Sequence, residues 1–254
     1  MTSGFVEFEF DLPDALLTSL VGIFDKMKAA PLTPEAVATL PDEQGVYQLL
    51  LNDEIVYIGK TDGDAGLRKR LSRHSFTIQH RQNLDTATVV FKAVRVFVFT
   101  AIDLETQLIR HYGATKPVAW NNSGFGSNDP GRNRDDTDLK PKGFDANYPI
   151  DLDQPIDIEL VPGASLAAII SAIRQALPYY FRAEAAAPRS RVSHPDLQAA
   201  TFVGPALFKP TMRTAVLSIL ASLPAGWQAT LLAGRVILYK EAKDYRWGVT
   251  IGRS

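Results

Sequence analysis

Two short strings constrain this chain most: Gly45-Val46-Tyr47 and Tyr57-Ile58-Gly59, with ten residues from one tyrosine to the other. The segments between them are mostly apolar and are divided by Asn52-Asp53-Glu54. Asparagine and aspartate favour tight turns, and the flanks have strand composition, so the segment reads as a β-hairpin. One tyrosine sits near the start of the first strand and one near the end of the second. Antiparallel pairing therefore brings the two phenols together. The bland alternative is a pair of core or cross-strand tyrosines, because tyrosine is a favoured strand residue and glycine often marks strand ends.

The flanking sequence places the hairpin in a mixed chain. Phe5 to Phe10 alternates apolar and acidic residues, as a strand or extended arm would. Asp14 to Ala29 has helical spacing of Leu16, Leu17, Leu20, Val21, Phe24 and Met27, and a short helix over Pro34 to Leu40 opens on Thr33. After the hairpin come a turn over Thr61–Gly66, a helix over Leu67–Gln79, a β-rich run over Thr88–Thr100 and a helix over Asp103–Tyr112. Periodicity is then lost to about Asn147. Beyond it, Pro155–Leu160 and Tyr179–Glu184 read as strands, Ser165–Ala176 and Thr211–Ser222 as helices, and two or three strands run to Ile251. Ala176-Leu177-Pro178 and Ser222-Leu223-Pro224 end the two helices alike, suggesting a duplicated helix–strand unit.

A chain of 254 residues can hold one large domain, or a domain with an appendage. Its 46% hydrophobic and 22% charged composition suits a globular protein. No apolar run reaches membrane-spanning length, and the first residues do not look like a signal peptide. Zero cysteines exclude disulfides and cysteine-bound zinc, which fits a reducing cytoplasm. The net charge of -1 does not decide for or against nucleic acid, because local charge governs that contact.

Local charge is indeed uneven. Arg68, Lys69, Arg70, Arg73 and Arg81 occur with no acidic residue between Ala65 and Leu84. Arg70 and His74 are four residues apart, so they share a helix face. The ordinary reading is a solvated basic face; the functional one is a phosphate-facing surface, to which arginine offers a planar fork of donors. Glu105 falls in the first turn of the next helix, where the helix dipole alone favours an acid, yet a lone carboxylate is also a hard ligand for magnesium. Trp120-Asn121-Asn122 then leads into a polar, glycine-rich loop through Gly124-Phe125-Gly126, Asn128, Arg132 and Arg134. Such a loop is either plain surface or a close approach to a sugar–phosphate backbone.

Taken in order, Gly-Val-Tyr, Tyr-Ile-Gly, Arg-x3-His, Glu, Trp-Asn and Gly-Phe-Gly-x-Asn-Asp-Pro-Gly-x-x-Arg resemble the GIY-YIG nuclease superfamily. They look most like its type II restriction endonuclease branch, which cuts short GC-rich palindromes. The resemblance spans about Gly45 to Arg134, and the Trp-Asn and Gly-Phe-Gly segments are its more specific part. It departs in having Val46 for isoleucine and a longer interval from Glu105 to Asn121, so Asn121 and Asn122 both remain candidates for the asparagine position. Arg68 and Arg73 likewise remain alternatives to Arg70.

The resemblance implies an α+β fold: a small mixed or antiparallel sheet flanked by helices, with an N-terminal helical arm over 1–40, a nuclease domain over 41–148 that includes a DNA-contact loop at 121–134, and a C-terminal α+β extension over 149–254. It implies catalytic roles for Tyr47, Tyr57, Arg70, His74 and Asn121, and one Mg²⁺ per site on Glu105, with Mn²⁺ able to substitute. DNA contacts are expected from Lys60, Arg68, Arg73, Asn122, Asn128, Arg132 and Arg134. The implied partners are double-stranded DNA, a second copy of the chain and a DNA methyltransferase. Two further readings are a structure-specific repair or mobile-element nuclease and a non-catalytic DNA-binding protein.

Overall fold

The computed structural model describes residues 4, 6, 7, 9, 11–61, 65–97, 103–126, 129–137 and 141–254. Phe5, Phe8 and Phe10 of the expected arm, the centre of the Thr61–Gly66 turn, Val98 to Thr100 and Asn128 lie outside them. The fold is α+β, and it divides into two compact units: Met1–Ser75 with Asp85–Asn122, and Phe76–Leu84 with Ser123–Ser254. Residues 123–148, which the sequence reading grouped with 41–122, cluster with the second unit. Among the described residues no helix is long and apolar enough to cross a membrane.

The first unit is a four-stranded antiparallel sheet in the order β1-β4-β2-β3, made of β1 (Ala30–Pro31), β2 (Gly45–Leu51), β3 (Glu54–Lys60) and β4 (Val89–Arg95). The β2–β3 turn is tighter than expected. Only Asn52 and Asp53 form it, with φ of 51° and 64°, and Glu54 already belongs to β3. Two successive positive φ values mark a type I′ turn, which asparagine and aspartate tolerate and whose twist matches the strands. Helices α1 (Leu12–Lys26) and α4 (Leu104–Tyr112) cover one sheet face, where Leu20, Phe24, Val46, Ile58, Leu104 and Leu108 form a core. Burying each such side chain contributes about 1.5–3 kcal/mol. A short α2 (Pro34–Ala38) is capped by Thr33, whose Oγ1 accepts from Ala36 N at 3.3 Å. Helix α3 (Leu67–Gln79) faces the other side through Leu67, Leu71 and His74, a turn apart and all buried, while Arg68, Lys69 and Arg73 point to solvent. The last turn of α3 clusters with the second unit.

The second unit is built on a sheet in the order β10-β8-β9-β6: β6 (Tyr180–Ala183), β8 (Gln228–Leu232), β9 (Arg235–Tyr239) and β10 (Val249–Arg253). Only the β6–β9 pairing is parallel. Between α5 (Phe144–Asn147) and this sheet lie β5 (Glu159–Leu160) and α6 (Leu166–Ala176); α7 (Pro195–Ala199), β7 (Leu207–Phe208) and α8 (Met212–Ala221) follow β6. Leu166, Ile169, Ile170 and Ile173 of α6 and Met212, Val216 and Ile219 of α8 enter one core with Trp227 and Val236. The helix–strand order does recur, as α6–β6 and α8–β8, but β9 separates the two strands in the sheet. The strand expected over Pro155–Leu160 shrinks to Glu159–Leu160, with Pro155 as a lone bridge to Thr211, because proline has no N–H to give a ladder. Helix α7 opens at Pro195 and is capped by His194 Nδ1, which accepts from Asp196 N at 3.1 Å.

Candidate active site

The two motif glycines make room for the site. Tyr47 pairs with Gly59 across the hairpin and Tyr57 with Leu49, so the phenols meet diagonally. A Cβ at Gly59 would stand 2.5 Å from Tyr47 Oη and 2.9 Å from Tyr57 Cε1, so any side chain there would displace both rings. A Cβ at Gly45 would strike the Val94 carbonyl oxygen and come within 2.9 Å of Leu67 Cδ1 of α3. Gly45 N donates to Thr61 Oγ1 at 2.8 Å, and Thr61 N to Gly45 O at 2.9 Å, which extends the hairpin past its last paired residue. Thr61 is buried, and the sequence reading had placed it in a turn.

Tyr47 (0% exposed) and His74 (3%) are joined by a 2.7 Å contact between Tyr47 Oη and His74 Nε2. Their rings lie 5.6 Å apart, and Tyr57 stands 6.1 Å from Tyr47 and 5.3 Å from His74 by ring centroids. Burial pushes His74 down to about 3, helped by the positive charges of Arg70 and Arg73, so the imidazole is neutral near pH 7. Burial also raises the Tyr47 phenol, with Tyr57 adding to the effect, so Tyr47 keeps its proton. Two neutral arrangements satisfy this contact, Tyr47 O–H donating to His74 Nε2 with the imidazole proton on Nδ1, or Nε2–H donating to Tyr47 Oη; a proton relay toward His74 uses the first. Tyr57 is likewise raised by burial and by the nearby Glu105 charge.

Arg70 joins this pair. Burial works against its charge, but the neighbouring Tyr47 and Tyr57 phenols hold the Arg70 pKa above the usual value. Arg70 Nε is buried and has no hydrogen-bond partner. A half-buried guanidinium suits an anion subsite by its charge, while Nε itself is closed off from solvent. Among the basic residues of α3, helix phase alone selects Arg70: Arg68 and Arg73 face outward.

Glu105 sits in the first turn of α4, which Asp103 caps by accepting from Thr106 N at 3.4 Å and Thr106 Oγ1 at 2.6 Å. Lys60 Nζ donates to Asp103 Oδ1 at 3.0 Å across an exposed pair. Asp103 is held below the usual carboxylate range by Thr106 and then by Lys60. Glu105 is raised instead, because burial outweighs Lys60 and Arg70. Among the described residues no group of three or more His, Asp or Glu side chains gathers around a metal position. Glu105 is thus a single hard oxygen donor, the donor set that suits Mg²⁺, which keeps waters and takes substrate oxygens for its other positions.

Asn121 acts on the backbone. Its Oδ1 accepts from Ile58 N and its Nδ2 donates to Ile58 O, both at 2.9 Å, while Trp120 N donates to Val56 O at 2.7 Å. These bonds close the outer edge of β3 beside Tyr57 and Gly59. Asn122 adopts a φ of 58° and carries the chain away from the strand. The six residues Tyr47, Tyr57, Arg70, His74, Glu105 and Asn121 all belong to the first unit. Arg132 and Arg134 belong to the second. Arg132 pairs there with Glu184 and lies 4.2 Å over the Tyr239 ring, and both Arg132 and Arg134 are exposed.

No family model matches the chain, and no curated protein is similar to it.

Proposed function

We propose that the chain is a Mg²⁺-dependent endonuclease of the GIY-YIG type, acting as a type II restriction enzyme on a short GC-rich palindrome in double-stranded DNA. The observation that carries this reading is the Tyr47–His74–Arg70 cluster, with Glu105 close enough to act on both tyrosines. The cluster combines a neutral proton relay, a half-buried cation and a hard oxygen ligand. Phosphodiester hydrolysis needs those three functions, because positioning and electrostatics do most of its work.

Arg70 would hold the scissile phosphate through the charge of its half-buried guanidinium. Tyr47 Oη would take a proton from the attacking water while passing its own to His74 Nε2, so the relay creates no isolated phenolate. Phosphate at Arg70 offsets one of the charges that keep His74 a weak base, which raises its proton affinity when substrate is present. Tyr57 would orient the water or the phosphate, and Asn121 holds the strand that presents Tyr57. Bound at Glu105, Mg²⁺ would supply positive charge to the phosphate and the leaving oxygen. Cutting both strands of a palindrome calls for two sites related by a two-fold axis, hence a homodimer on DNA, and a matching methyltransferase would protect the host.

The test is a digest of several plasmid and phage DNAs with Mg²⁺, comparing wild type with Glu105→Ala. Discrete wild-type fragments, absent from the variant while duplex binding persists, are the expected result. Cutting confined to branched or nicked DNA would replace restriction by repair. No wild-type cutting on any substrate would sink the nuclease reading.

A further inference from the structure

The glycine-rich loop after Asn122 reads in sequence as plain surface or as a contact loop, and in the second unit its 129–135 segment is bound to the sheet by an ion network. Asp135, whose side chain is 2% exposed, is its centre. Arg182 Nη1 donates to both carboxylate oxygens at 2.9 and 2.8 Å, Arg235 Nε to Oδ1 at 2.7 Å and Tyr239 Oη to Oδ2 at 3.1 Å. Arg182 also pairs with Asp129 through Nε at 3.1 Å and through Nη2. Asp129 Oδ1 in turn accepts from Gly131 N at 3.0 Å, where a φ of 83° requires glycine. Both ends of the segment are therefore fixed to β6 and β9.

The same network sorts the basic residues of the loop. Arg132, though half exposed, is engaged by Glu184 and Glu241 and stacks on Tyr239, so its charge is already paired within the protein. Arg134 is the reverse. Its backbone is clamped, with its carbonyl accepting from Arg235 Nη2 at 2.9 Å and its N–H donating to Gly131 O at 3.1 Å, while its side chain and that of Asn133 are exposed. A fixed backbone under an exposed guanidinium lowers the ordering entropy of a contact made through it.

We propose that the 129–135 segment is a preorganised duplex-DNA contact surface, in which Arg134 rather than Arg132 meets the phosphate backbone and Asp135 is the residue that positions it. This rests on the DNA reading above. The two clamped aspartates fix the pose before any ligand arrives, so the contact is built into the fold and is not formed by folding on the DNA.

The test is binding of a long mixed-sequence duplex by the full chain without Mg²⁺, titrated over a range of salt concentrations. Arg134→Ala should weaken binding and reduce the slope of log affinity against log salt by about 1, as loss of one phosphate contact does. Arg132→Ala should leave the slope at the wild-type value. Asp135→Asn should weaken binding in the wild-type background and add nothing in Arg134→Ala, because it acts through that side chain. A wild-type slope in Arg134→Ala, a reduced one in Arg132→Ala, or an undiminished Asp135→Asn effect in the double variant would each overturn the proposal. If Asp135→Asn does not fold, as its melting curve would tell, the comparison of Arg134 with Arg132 still decides. A wild type that binds no duplex at all would remove the DNA reading itself, a result distinct from all of these.

Discussion

The Tyr47 cluster and the Asp135 cluster are both made of polar groups withdrawn from water, and their hydrogen-bond accounts differ. Around Asp135 every carboxylate oxygen is met by charged or hydroxyl donors, and the two arginines are answered by carboxylates. Around Tyr47 the account is left open: Arg70 keeps a buried donor without a partner and, among the described residues, forms no ion pair, while the nearby Glu105 carries a raised pKa. A saturated network rigidifies the fold, because nothing remains for a ligand to satisfy. An open one is a cost to the folded state that a bound anion and cation can offset.

That contrast is broken most directly by removing one member of each cluster. Asp135→Ala leaves Arg182 and Arg235 half-buried with fewer counter-charges, and truncating one partner of a buried pair costs about 3–5 kcal/mol. Arg70→Met fills much the same volume and removes a charge that burial opposes, so its stability should stay within about 1 kcal/mol of wild type. Its cleavage rate should nevertheless fall by about 100-fold or more, the scale for loss of one preorganised electrostatic donor. Denaturant melts and cleavage rates on the same two proteins check the pair. A severe stability loss in Arg70→Met with none in Asp135→Ala would reverse the assignment of scaffold and site.

How far the sequence revealed this division follows from the range of the interactions. The hairpin, the bounds of α3 and the start of α4 rest on local signals: a two-residue turn, a buried stripe a turn apart and an aspartate cap. The shared face of Arg70 and His74 is a matter of helix phase and was readable. The slot at Gly59 was not, because it depends on a cross-strand register with a shift between Leu49 and Leu50. The resemblance gives Asn121 a catalytic role, but its amide bonds to Ile58, 63 positions earlier, have no signal in the sequence. Asp135 was missed altogether. Its partners are 47, 100 and 104 positions away, and no periodicity in a loop announces such a contact. The one available hint was Arg182 between Phe181 and Ala183, a charge on the opposite strand face from two buried apolar neighbours.

A smaller effect sharpens the comparison through pH. His74 is depressed from its ordinary value near 6.5 to about 3. Between those values the unfolded chain binds a proton that the folded one excludes, so stability is at its full value above about pH 6.5 and falls as the pH drops toward 3. His74→Gln removes that term, and its melting temperature should decline less over the same interval. Equal declines in the two proteins would mean that His74 is not the group being protonated. The acidic residues of the second unit titrate as well, but they contribute equally to both proteins, so the difference isolates the site.

The smallest expected change concerns Lys60. Its ion pair with Asp103 is exposed on both sides, so Lys60→Ala should alter stability by no more than about 1 kcal/mol. Its charge also opposes the burial that raises Glu105. Without Lys60 the Glu105 carboxyl should hold its proton to higher pH, and a protonated carboxyl is a poor cation ligand. The acid limb of the cleavage–pH profile should therefore move upward in Lys60→Ala, while the rate on its plateau changes little. A lower plateau with an unmoved limb would make Lys60 a direct phosphate contact. An upward shift would place its effect on Glu105, the carboxylate proposed to hold metal.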